Sequence, residues 1–181
     1  MPPFKPLPYF DYPTAVVVGG QSISVVAHQM VAWAAIAQGN NAVPLPRERF
    51  PVVIDTGFSG TLAISPNQLA RWAGIAWSTL SVDPTLNLEY HGVPVPHRQA
   101  NLWLYPNAPG RRDQFDPLLP PFLLRLRGGI AVYGDGVQVG VRATAQLVAP
   151  RLPLLGLRAF IASRARLTVD AGTRFVDLDT P

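Results

Sequence analysis

The chain has 181 residues, no cysteine, 20 proline, 15 glycine and a formal net charge of +4. That length suits one domain with a real core, and the lack of cysteine excludes disulfides and thiolate metal sites. The basic residues are almost all arginine and are scattered, with only Arg111 and Arg112 adjacent, so no basic stripe points to nucleic acid.

Many Pro and Gly with 14% charged residues favour short strands, and so an all-β or mainly β fold with two or three short helices. Residues 1–13 hold five Pro and read as an extended arm with no packing of its own. A single domain is expected over 14–181. Thr14 to Val18 is β-branched and stops at Gly19-Gly20, a strand and a turn. Ser22 to Val25 alternates, whereas the Ala-rich stretch from about Ala27 to Gln38 reads as a helix stopped by Gly39-Asn40. The stretch from Ile23 to Ala37 is the most apolar and is too short to span a bilayer. Ala35-Ile36-Ala37 could mimic a signal-peptidase site, but no basic start and clean apolar core precede it. A soluble, cytoplasmic protein without a membrane partner is the expectation.

Pro51-Val52-Val53-Ile54 is a short β-type run that ends in Asp55-Thr56-Gly57-Phe58-Ser59-Gly60. Thr61 to Ile64 carries the chain away. Ser65-Pro66-Asn67-Gln68 then opens a helix, with Ser as N-cap, Pro in the first turn and Gln closing a capping box. Trp77 to Val82 and Leu86 to Tyr90 follow, and then Val93 to Val95, with a turn at His91-Gly92. Gln99 to Tyr105 reads as a strand. Pro106 to Pro121 reads as a long surface loop or insertion. Leu123 to Arg127 is strand-like, and Gly134-Asp135-Gly136 is a hairpin signal between Ile130–Tyr133 and Val137–Val148. Near the C-terminus come Leu154-Leu155-Gly156, a helix-like stretch through Phe160, and two strand-like runs, 166–170 and 173–178, about a tight turn at Ala171-Gly172.

A carboxylate in a Thr/Gly-rich turn at a strand end can serve as an acid or base; equally, it can close an ordinary Asx turn. An Asp-Thr-Gly triplet alone is weak evidence, arising by chance in roughly one chain in twenty of this length. Its context is more specific. Asp55-Thr56-Gly57-Phe58-Ser59-Gly60, followed about a hundred residues later by Leu154-Leu155-Gly156 and a short helix, resembles the retropepsin-like aspartic proteases, above all the single-lobe bacterial type. The resemblance covers roughly residues 50–104 and 137–178. Retroviral enzymes usually carry Ala and Asp where this chain has Phe58 and Ser59.

That resemblance implies a closed, barrel-like β lobe that works as a homodimer, because one lobe holds one catalytic aspartate and the chemistry needs two. It implies catalysis by Asp55, with Thr56 and Gly57 shaping the loop. It also implies that Leu154, Leu155 and Gly156 pack behind that loop. Tyr90, His91 and Gly92 become flap candidates over a peptide substrate, a part that Tyr133 to Gly136 could equally serve. No cofactor or metal is expected. His28, His91 and His97 lack metal-ligand spacing, and His91 and His97 read as solvated. Two further readings are a retropepsin-like dimer that binds peptide without cutting, and a dUTPase-like nucleotide hydrolase. The second rests on the likeness of Ile54 to Gly60 to that family's Ile-Asp-x-Gly-Tyr-x-Gly segment, but its Pro-x-Ser-Gly-Leu segment and Gly-rich tail are missing here.

Overall fold

The computed structural model describes residues 4–8, 10–37, 49–82, 88–90, 93–133, 151–172 and 175–179. Among the described residues it is mostly β, with two helices and a main sheet curled into a half-barrel.

The N-terminal arm, expected to have no packing of its own, is paired over part of its length. Phe4–Pro8 (β1) pairs antiparallel with the C-terminal strand Phe175–Asp179 (β15), from Phe4↔Leu178 to Pro8↔Phe175. Thr14–Val18 (β2) and Gln21–Val25 (β3) form a hairpin. Gly19 and Gly20 join them with φ of 55° and 75°, a left-handed pair that glycine adopts without a Cβ clash.

The expected helix after Ala27 is instead a strand, Met30–Ala37 (β4). The reason is burial on both sides. Ala32, Ala34 and Ile36 face the main core, while Trp33 and Ala35 join a second cluster with Tyr105 and Phe115 on the opposite face. A strand covered on both faces is apolar throughout, and periodicity cannot separate it from a buried helix.

β4 pairs antiparallel with Phe50–Asp55 (β5) on one side and with Asn101–Tyr105 (β10) on the other. The eight-stranded sheet runs β11-β10-β4-β5-β13-β6-β12-β9. Its other members are Leu62–Ile64 (β6), His97–Arg98 (β9), Phe122–Leu124 (β11), Ile130–Val132 (β12) and Leu154–Gly156 (β13). β9 lies at one edge and β10 next to the other, yet only Gln99 and Ala100 separate them in the chain. Three residue steps reach about 11 Å at most, so the two edges must curl toward each other. Phe50, Leu62, Ile64, Leu102, Leu104, Leu124 and Leu155 fill the interior and are fully buried.

Pro66–Trp72 (α1) starts as expected. Gln68 N donates to Ser65 Oγ at 3.1 Å, and Ser65 N donates to Gln68 Oε1 at 2.9 Å. Trp77–Thr79 is a 3-10 turn. Leu88–Tyr90 (β7) and Val93–Val95 (β8) pair antiparallel, with Tyr90 opposite Val93. Arg158–Ile161 (α2) follows β13, and Arg166–Asp170 (β14) pairs with β15 from Arg166↔Asp179 to Asp170↔Phe175.

The expected surface loop 106–121 is partly core. Arg112 is 1% exposed. Its guanidinium donates to Thr14 Oγ1 at 2.6 Å, to Gln29 O at 3.1 Å and to Tyr12 O at 3.1 Å. Asn107 Nδ2 donates to Val31 O at 3.0 Å. A buried cation needs acceptors, and here backbone carbonyls and a hydroxyl supply them. Burial pulls the Arg112 guanidinium below its ordinary pKa.

Candidate functional site

Asp55 is the last residue of β5 and is half-buried, while Thr56 and Gly57 after it are exposed. Gly57 N donates to Asp55 Oδ1 at 2.8 Å, and Phe58 N donates to Asp55 O at 3.2 Å. These two bonds alone would describe an ordinary Asx turn.

The surrounding sheet adds what such a turn does not need. β5 and β6 flank the loop in sequence but are not neighbours. β13 lies between them, parallel to β5 and antiparallel to β6. Consecutive strands usually pair directly, so this insertion is a specific topological feature. Its register sets Leu154 opposite Val53, Leu155 opposite Ile54 and Gly156 opposite Asp55. Leu155 is fully buried, and Gly156 N donates to Thr61 O at 2.9 Å. A Cβ on Gly156 would overlap Gly60 O and sit 2.5 Å from Phe58 O. Bare glycine is therefore what lets β13 lie directly behind the loop. Thr61 Oγ1 donates to Gly129 O, which ties the far side of the loop to the turn before β12.

α1 is coupled to the same frame. Gln68 Nε2 donates to Arg151 O at 3.2 Å, on the segment leading into β13. One residue thus completes the helix cap and holds the strand that backs the loop.

The flap candidates divide. Tyr90 is the last residue of β7, and His91 and Gly92 lie outside the described residues. The base of this ribbon is held by the Val82↔Arg98 bridge and by Gln99 N donating to Ser81 O at 2.8 Å. Among the described residues, no sheet pairing joins the ribbon to the Asp55 loop. The other hairpin considered, at Gly134 to Gly136, also lies outside the described residues. His97, expected to be solvated, is buried at the base of the ribbon, with Nδ1 2.8 Å from Val95 O.

Two clusters escaped the sequence. Arg49 lies 4.3 Å from the ring centres of both Tyr105 and Phe115, a cation–π stack on the outer face of the sheet. The second is a set of exposed arginines around α2 and the end of β11. Among the described residues no helix is long and apolar enough to cross a membrane. No family model, no curated protein and no solved structure matches the chain.

Proposed function

We propose that this protein is an aspartic endopeptidase of the retropepsin-like type, active as a homodimer. The observation that carries this reading is β13. It threads between the two strands that flank Asp55-Thr56-Gly57, with Gly156 against the loop backbone. A loop braced in this way holds a carboxylate at a fixed, half-exposed position. That is what a dyad needs, since catalytic groups must be placed by rigid neighbours.

In the dimer, Asp55 and its counterpart from the second copy share one proton across a bound water. Two carboxylates that close cannot both carry a charge cheaply, so one of them keeps the proton. The ionised member takes a proton from the water as it attacks the scissile carbonyl. The protonated member donates to the carbonyl oxygen. The roles then reverse as the tetrahedral intermediate collapses and the amine leaves. Thr56 and Gly57, exposed beside Asp55, belong to the contact between the two loops. The substrate is an extended peptide with apolar residues around the bond.

The test is cleavage of casein across pH 3 to 8, wild type beside Asp55→Asn, with mass read by light scattering. The expected result is a dimer that cuts, and a folded dimeric variant that does not. Cleavage retained by pure Asp55→Asn protein would sink the proposal. A folded dimer silent at every pH would leave a peptide-binding protein, and a trimer would point to nucleotides.

A further inference from the structure

Arg125, Arg127, Arg158, Arg164 and Arg166 are far apart in sequence, but the fold gathers them. Arg125 N donates to Ser163 Oγ at 3.0 Å, which sets the end of β11 against the turn after α2. Arg164 is the next residue in that turn, Arg166 opens β14, and Arg158 opens α2. Arg125 and Arg127 flank the buried Leu126 and are both exposed. Among the described residues, Arg125, Arg127, Arg158 and Arg164 make no ion pair, and Arg166 has only Asp179, 3.8 Å away. Ile161 is 70% exposed and Leu157 is 43% exposed in the same region.

Two further observations point to a ligand. Arg164 is held in the left-handed region at φ 51°, a place at a helix C-terminus that favours glycine. Arg164 N donates to Ile161 O at 3.1 Å and Ala165 N to Phe160 O at 3.1 Å, a helix cap that glycine would form at lower backbone cost than arginine. In addition, Arg127 lines an open cleft of about 420 Å³ with Ser81, Gln99 and Asn101, and no carboxylate among the described residues lines it.

We propose that this surface docks an acidic, aliphatic-containing peptide segment of a protein partner. Guanidinium forks take its carboxylates, Ile161 and Leu157 take its apolar side chains, and the cleft beside Arg127 takes one acidic side chain. The apolar residues interleaved with the charges are aliphatic, which suits a peptide better than stacked bases. α2 has four residues, too short to lie as an amphipathic helix on a bilayer. This docking does not depend on cleavage at Asp55.

The test is fluorescence anisotropy with a fluorescein-labelled peptide of Glu-Glu-Leu repeats, about twelve residues long, at about 50 and 500 mM salt. The expected result is saturable binding by wild type and Asp55→Asn alike, weakened by salt, and about tenfold weaker in Arg125→Gln/Arg158→Gln/Arg166→Gln. Arg164→Gly is expected to raise the melting temperature while weakening binding, a combination that a purely structural arginine would not give. Absence of binding, or equal affinity in the variants, overturns the proposal. So does tighter binding of single-stranded DNA or of phosphatidylserine vesicles that the same variants lose, which would give the surface to another class of partner.

Discussion

Gly156 is the residue on which the loop architecture turns, and the reason is space rather than backbone angle. An added methyl would meet Phe58 O and Gly60 O, and backbone atoms of a braced loop cannot give way cheaply. Gly156→Ala should therefore cost about 2 kcal/mol in denaturant unfolding, within the range of overpacked cores, and should abolish any Asp55-dependent cleavage. Arg112 makes the opposite point, because its removal leaves Thr14 Oγ1, Tyr12 O and Gln29 O without their donor. Arg112→Ala should cost about 3 kcal/mol by the same measurement, combining lost bonds with a cavity. The Arg111 and Asp113 pair beside it is exposed. The Arg111 hydrogen bond holds the Asp113 carboxyl below the usual range, so its stabilisation is present above the unfolded carboxylate pKa and fades as pH falls through the lower folded value. Exposed pairs contribute little, and Asp113→Asn should leave the melting temperature unchanged within error at neutral pH.

Local chemistry at the level of elements explains α1 completely and β4 not at all. The capping box at Ser65 and Gln68 satisfies two helix-end donors, and Ser65→Ala should cost about 1 kcal/mol by thermal or denaturant unfolding. Gln68 carries an extra bond to Arg151, so changing it should also loosen the approach to β13. β1 shows how an end of the chain acquires structure. It covers one edge of β15, whose Val176 and Leu178 are fully buried. Removing residues 1–9 should lower the melting temperature and speed hydrogen exchange in β15. An unchanged exchange rate would mean that the pairing is dispensable.

For the whole molecule the central expectation is that one chain is half a site. If the Asp55 pair forms across a twofold axis, activity per chain should fall on dilution below the dimer dissociation constant, while a monomeric enzyme would keep it. The dilution series is read by casein cleavage beside light scattering. Sequence by itself determined the mainly β class, the strand that ends at Asp55, the Gly19-Gly20 turn and the capped helix, because each follows from interactions within a few residues. It also marked Leu154-Leu155-Gly156 as belonging with the loop, through resemblance. Tertiary structure alone decided that β13 separates β5 from β6, that the Ala-rich stretch is a strand, that Arg112 and His97 are buried, and that scattered arginines share one surface. Those outcomes depend on partners contributed by residues distant in the chain: an apolar stretch takes its form from what covers its two faces, and a charge takes its meaning from what the fold sets beside it.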